Sequence, residues 1–311
     1  MGRTHKPRSG SLQYWPRKRA SRIHPSPNTV KTDKLLTAFA GYKVGMTGVY
    51  LKNSNPNAPA KGIIITCPAT VIECPPLRVL GLKFYKRHND ALHTFSFIPS
   101  QKNDKNIERK ISPTKTPQTN TIPNEFDEAR LVVYTQPCTT GIGKKKPDIF
   151  EIVTNERNPQ KLSSYLDSEI KISDIIKPGE YVDVAGVTKG KGLQGVVKRF
   201  GVTLKAKKSE KKKRSVGNLG SWTPKRVSWT VAQAGQMGYH TRTESNKYVL
   251  LSSNPKERDP TPKGGFKRYG IIKNDYLVIK GSLPGPSKRL LILTPSRRKP
   301  KTKDVYEVTA L

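Results

Sequence analysis

The chain has few cysteines, few acidic residues and no long apolar run, and each scarcity removes a class of protein. Its three cysteines, Cys67, Cys74 and Cys138, are odd in number and show neither a C-x-x-C nor a Cys/His pairing at zinc spacing. That usage fits a reducing compartment and predicts no metal. The five histidines are scattered, and the only close pair, His88 and His93, has no carboxylate arranged beside it for a metal. No apolar stretch approaches the roughly 18–20 residues of a spanning helix, so no membrane partner is expected. Residues 1–34 carry nine Lys or Arg and no apolar core of a signal peptide, which predicts an intracellular protein. Sets that do bond chemistry are missing too: there is no G-x-S-x-G, no H-E-x-x-H and no clustered carboxylates. Neither an enzyme, a cofactor nor a small-molecule substrate is expected.

What the chain does have is positive charge. In 311 residues, 58 Lys and Arg stand against 23 Asp and Glu, a formal net charge of +35. A balance of that size drives attraction to nucleic acid. The charge is densest between Gly186 and Lys247, where GVTKGKGLQGVVKRFGV runs into KAKKSEKKKR and then VGNLGSWTPKRVSWTVAQAGQMGYHTRTESNK. Fifteen Lys or Arg there face two acids, Glu210 and Glu244, with no apolar run that would make an independent core. Such a segment is expected to order only against a polyanion.

With 34% hydrophobic residues overall, the chain supports one modest core. Short β-branched runs bounded by Gly, Pro and Asn recur in LLTAFAGYKVGMTGVYLKN, AKGIIITCPATVIEC, LRVLGLKFYK, ARLVVYTQP, KYVLLSSN and KNDYLVIKG. Their period is nearer two than 3.6, which predicts a mainly β fold with some α, a small antiparallel barrel rather than a βαβ fold. A short helix is expected near 159–169 and a strand at 180–187. Five parts follow: a basic N-terminal extension (1–40); a first barrel part (41–199) with a polar insertion (99–125) and an acidic segment (148–183); a basic finger (200–245); return strands (246–295); and a basic tail (296–311), read as a second anchor. The acidic segment holds eight acids against four basic residues and is expected to face away from nucleic acid, where a protein partner could dock.

In the arm, Tyr14 and Trp15 sit beside Arg17, Lys18 and Arg19, a mixture suited to stacking and phosphate contact. Lys189 and Lys191 alternate with glycines that let backbone approach phosphate. Lys198, Arg199, Lys205, Lys207, Lys208, Lys211, Lys212, Lys213, Arg214, Lys225, Arg226, His240 and Arg242 complete the expected cationic contacts. Trp222, in NLGSWTPKR, has the glycine, proline and lysine surroundings of a loop tip and is expected to be exposed to stack on or wedge into RNA. Trp229 could be core or platform. GKGLQG (190–195) satisfies G-x-G-x-x-G, but the VVKRFGVTL that follows predicts no helix, and Glu210 sits in a lysine tract, so a dinucleotide site is rejected.

Four blocks, GSLQYWPRKRA, AGYKVGMT, the stretch 186–247, and GGFKRYGIIKNDYLVIKGSLPGPSKRL, resemble in order the universal large-subunit ribosomal protein L-three family, in its archaeal or eukaryotic form. The resemblance implies a translation-protein-like β-barrel with long basic extensions threaded into ribosomal RNA. It also implies a cytoplasmic place in the large subunit, neighbouring ribosomal proteins as partners, and a role early in subunit assembly. Residues 200–245 would be a finger near the peptidyl transferase centre and the aminoacyl-tRNA entry region, with Trp222 at its tip. Two positions depart from many eukaryotic members, which have histidine where this chain has Glu210 and Thr223; no histidine modification is expected at 210, and an archaeal type is favoured. Two rivals remain. A general basic DNA- or RNA-binding protein of chromatin type would need a groove-reading helix, and an RNA-modifying enzyme would need a catalytic set.

Overall fold

Alternation of outward polar and inward apolar residues makes strands the main regular structure of the chain. The computed structural model describes residues 8–27, 34–55, 57–100, 104–112, 122–123, 125–166, 168–208, 211–301 and 305–310. It divides into two compact units, one made of residues 23–186 and 242–311, the other of residues 1–22 and 187–241.

The larger unit is built on β1 (Phe39–Asn53), β2 (Ile64–Glu73), β3 (Leu77–His88), β4 (Ala91–Pro99), β5 (Glu128–Tyr134) and β6 (Ile149–Thr154). After them come helix α1 (Pro159–Tyr165), β7 (Glu169–Ile170) and β8 (Tyr181–Val187). In β1 the pattern changes midway: residues 39–44 are buried on both faces, whereas Val49, Leu51 and Asn53 point in and Met46, Tyr50 and Lys52 point out. That is the period-2 signature of a half-covered strand following a fully covered one. Helix α1 starts where Asn158 accepts a hydrogen bond from the Gln160 amide at 3.0 Å and Pro159 occupies the first turn.

The smaller unit contributes β9 (Gly192–Gln194), helix α2 (Val196–Phe200) and β10 (Gly235–Met237). The chain then returns to the larger unit with β11 (Thr241–Ser253), β12 (Tyr276–Lys280), β13 (Leu290–Pro295) and β14 (Tyr306–Ala310). One sheet runs β13-β8-β11-β12-β2-β1-β14, and β1 also pairs with β13, so its hydrogen-bonded path returns on itself. The pairs β1–β13, β1–β2, β2–β12, β12–β11 and β13–β8 are all antiparallel. A second sheet runs β4-β3-β5-β6, with β7 on β3. The buried residues form one hydrophobic cluster drawn from both sheets, including Phe39, Val49, Ile72, Leu82, Leu131, Ile152, Leu277 and Leu291.

Beneath the first sheet lies a buried carboxylate. Glu73, with no exposed surface, accepts hydrogen bonds from the Tyr269 hydroxyl (2.5 Å), the Lys273 and Asn274 amides (3.0 Å each) and Asn274 Nδ2 (2.7 Å). Four donors on one acceptor pin the loop before β12 to the end of β2, and burial beside that carboxylate pushes the Tyr269 phenol up.

Several sequence expectations need correction. In the acidic segment 148–183, Lys144 pairs with Asp148, Lys83 and Arg130 with Glu151, Arg78 with Glu169, and Lys34 with Glu180. In a chain with more than two cations per acid, the acids are taken up by neighbouring cations within the fold. Asp183 is buried instead, accepting from the Asn246 amide at 2.9 Å. Strands β4 and β6 were unread, the one ending at the polar insertion and the other lying inside the acidic segment. The basic tail ends in β14, which pairs with β1. The polar insertion 99–125 and the N-terminal arm fall partly outside the described residues. Glu210 lies wholly outside them.

Candidate nucleic-acid interface

The smaller unit holds seven Lys or Arg in residues 1–22 and thirteen in 187–241, against one acid, Glu210. All the cations singled out from the sequence belong to it except Arg242. Its frame is a short antiparallel ladder. Gly192, Leu193 and Gln194 pair with Met237, Gln236 and Gly235, and the Thr188 amide donates to the His240 carbonyl at 2.9 Å. The ladder needs a glycine at 238: with φ at +72°, a Cβ there would lie 2.1 Å from the Lys189 carbonyl oxygen.

Helix α2 opens directly after GKGLQG, so the expectation of no helix there was wrong. Val196 and Phe200, both buried, supply the apolar side that the β-branched spelling obscured. The dinucleotide reading still fails on geometry: the helix has five residues and the preceding strand pairs antiparallel with β10, not in a βαβ unit.

A small aromatic nucleus packs within this unit, and it needs Trp15 from the arm beside Phe200 and Trp229. Trp15 stacks on Phe200 at 5.8 Å and meets Trp229 edge-on at 5.4 Å. Trp229, open between core and platform in the sequence, thus touches the nucleus while remaining 64% exposed. Arg17 and Arg199 sit over the Phe200 ring at 4.5 and 5.0 Å. Arg199 Nε donates to the Gln236 carbonyl (3.1 Å) and its Nη1 to the Gln233 carbonyl (2.9 Å), closing both ends of the 201–234 excursion onto α2. Burial, then the neighbouring Arg17 charge, lowers the Arg199 guanidinium below its ordinary range. Gly235 leaves room for it, since a Cβ would come within 2.9 Å of its Cζ. Arg17 and Arg199 therefore brace the unit, a role the sequence did not reveal. His240 is similarly tied, its Nδ1 2.9 Å from the Lys18 carbonyl.

Other cations face outward. Lys18, Arg19, Lys189, Lys191, Lys198, Lys207, Lys208, Lys211, Lys212, Lys213, Arg214, Lys225 and Arg226 are exposed, and none of these forms an ion pair with a described residue; Lys205 is half-buried. The Lys205 amide donates to the Lys213 carbonyl at 3.1 Å. The segment around Trp222 is a succession of tight turns: the Gly220 amide donates to Asn218 Oδ1 (2.9 Å), Ser221 Oγ to the Thr223 carbonyl (2.6 Å), and the Arg226 amide to the Pro224 carbonyl (2.7 Å). Trp222 itself is 85% exposed. An unburied indole among exposed cations offers a π-face and positive charge together, the combination that holds unpaired bases. Among the described residues, no His/Cys/Asp/Glu group has the makings of a metal site, and no helix is long and apolar enough to cross a membrane.

Comparison with known proteins agrees with these blocks. A family model described as "Ribosomal protein L3" matches residues 1–116 and 113–309, nearly end to end. The chain belongs to the ribosomal protein L3 family. Similar family members include the "Large ribosomal subunit protein uL3" of Methanobrevibacter smithii, 42% identical with 99% of this chain and 97% of the relative covered. Those of Methanothermobacter thermautotrophicus (39%; 94% and 92%) and Picrophilus torridus (40%; 99% and 97%) carry the same name. In this L3 family member, the segment that most strongly marked the family, 186–247, also supplies eleven of the thirteen exposed cations named above.

Proposed function

We propose that the chain is a structural constituent of the large ribosomal subunit in the cytoplasm, without enzymatic activity, and that it binds ribosomal RNA chiefly through the basic unit. The observation that carries this reading is twenty cations against one acid in a unit of a chain that matches the L3 family nearly end to end. Exposed lysines there neutralise phosphates and release counterions, which makes affinity steeply salt-dependent, while specificity comes from RNA shape. The ring of strand pairings from β13 back to β1 supports reading the larger unit as a small barrel that serves as the platform. Exposure of Trp222 on tight turns supports a finger whose tip approaches the peptidyl transferase centre and the aminoacyl-tRNA entry region. In this reading the protein joins early in assembly and touches neighbouring ribosomal proteins.

Sedimentation of cell extract through a sucrose gradient at high salt, with the chain followed by antibody, tests the core of this reading. Co-migration with the large subunit, resistant to salt that strips loosely bound basic proteins, is expected. A chain that stays at the top of the gradient, or washes off in moderate salt, refutes it.

A further inference from the structure

Within the basic unit, the arm, the glycine-rich turn and β10 border an open hollow of about 610 Å³, lined by Arg19, Ser21, Gly190, Gly192, Gln236 and Tyr239. That volume lies in the range of sites that hold a single small ligand. We propose that it is a binding site for one unstacked ribonucleotide, a proposal that rests on the RNA-binding reading above but goes further by naming a pocket, a ligand and a contact for each part of it.

Rigidity of the walls is the first argument. Tyr239 has φ at 55°, an uncommon conformation for a bulky side chain. It is held there from three sides. The Ala20 amide donates to its carbonyl (2.8 Å), the adjoining Gly238 packs on the Lys189 carbonyl, and the next residue, His240, is tied to Thr188 Oγ1 (3.1 Å) and the Lys18 carbonyl (2.9 Å). A strained residue fixed by its surroundings is the kind that marks a ligand site.

The chemistry of the walls is the second argument, since each part of a nucleotide finds one counterpart. The Tyr239 ring is the stacking surface for the base. Gln236 Nε2 donates to the carbonyls of Met237 (3.2 Å) and Gly238 (3.0 Å), which orients the amide, and no described residue donates to its Oε1. That oxygen is the acceptor for a base N–H. Arg19 is exposed and makes no ion pair with a described residue, which leaves its guanidinium for the phosphate. At the rim the Ser21 hydroxyl is the partner for a ribose 2′-hydroxyl. Gly192 has open space where a side chain would stand, so the backbone itself forms the wall.

An A-form duplex does not fit, because its bases are stacked inside and only phosphates and 2′-hydroxyls face out; the ligand is a nucleotide splayed from its strand. The surplus of cations around the hollow also disfavours a cationic ligand.

The test is a nuclear magnetic resonance titration of the isotope-labelled full-length protein with 5′-AMP, 5′-GMP, 5′-CMP and 5′-UMP, against inorganic phosphate at matched ionic strength. Shifts at the amides of Gly192, Gln236 and Tyr239 are expected with at least one nucleotide and not with phosphate. Ser21→Leu, which fills the rim without removing a hydrogen bond to a described residue, and Arg19→Gln are each expected to weaken that response about tenfold. Equal shifts from phosphate would mean a plain anion site and overturn the proposal. Absence of shifts at these three amides would overturn it as well. Gradient sedimentation of the same protein separates the two ideas: co-migration with the large subunit without a nucleotide response leaves the ribosomal reading standing and removes only the pocket.

Discussion

Charge on this protein divides into cations that face solvent and cations that hold the basic unit together, and the two should respond differently to removal. Consider a variant with Lys211, Lys212, Lys213 and Arg214 all changed to glutamine. These side chains are exposed and unpaired among the described residues, so their loss leaves the fold intact. Each phosphate contact on single-stranded RNA contributes about 0.7 to the slope of log affinity against log salt. Four lost contacts flatten that slope by about 3, so doubling the salt weakens the variant roughly eightfold less than the wild type. Arg199→Gln removes one formal charge too, but that guanidinium bridges two backbone carbonyls and lies over Phe200. Its loss should destabilise the unit by about 2–3 kcal/mol and change the slope by no more than about 1. Fluorescence anisotropy with a labelled single-stranded RNA over a salt series reads the slopes, and urea denaturation reads the stability. An Arg199→Gln slope that falls as far as the tract variant's, or a tract variant with an unchanged slope, would refute the division.

Three further outcomes are expected. Glu73→Ala strands two amides, a side-chain N–H and a phenol in a buried site, and should cost about 3–5 kcal/mol in urea denaturation with loss of hydrogen-exchange protection at Lys273 and Asn274; a cost under about 1 kcal/mol would contradict the role given to this carboxylate. Trp222→Ala should leave stability within about 0.5 kcal/mol, since the indole is 85% exposed, while impairing aminoacyl-tRNA accommodation on purified ribosomes; normal accommodation would count against the tip role. His24, buried in the larger unit, has its pKa lowered, mainly by desolvation. The unfolded chain therefore binds the proton first as pH falls, so stability should decline from about pH 6.5 down to the lowered folded value and stay flat above it. His24→Gln should show a shallower decline in pH-dependent denaturation, and an identical profile would remove His24 as its cause.

Sequence reasoning recovered the strands whose alternation is clean, as in LRVLGLKFYK and KNDYLVIKG, and the helix capped by Asn158 and Pro159. It missed β6 because Ile149–Thr154 lies in a segment whose acids dominated the reading, and the one acid in that strand, Glu151, is neutralised by Lys83 and Arg130 on other strands. It missed α2 because Val196 and Val197 have strand propensity, and the helix forms where Val196 is buried and Phe200 stacks on Trp15. Exposure of Trp222 was readable from its Gly, Pro and Lys neighbours. The bracing by Arg17 and Arg199 was not, since nothing in a run of basic residues distinguishes one turned inward.

By itself, then, the sequence determined the family, through ordered blocks spanning the chain; the mainly β character, through period-2 alternation; and the strongly cationic character, through net charge. These are additive or local properties, and each survives without knowing what touches what. The tertiary structure alone decided which acids are neutralised, which arginines are structural, where the buried Glu73 finds four donors, and that Arg19, Gln236 and Tyr239 share one hollow. Those outcomes depend on contacts between residues tens to hundreds of positions apart, and no local pattern encodes them.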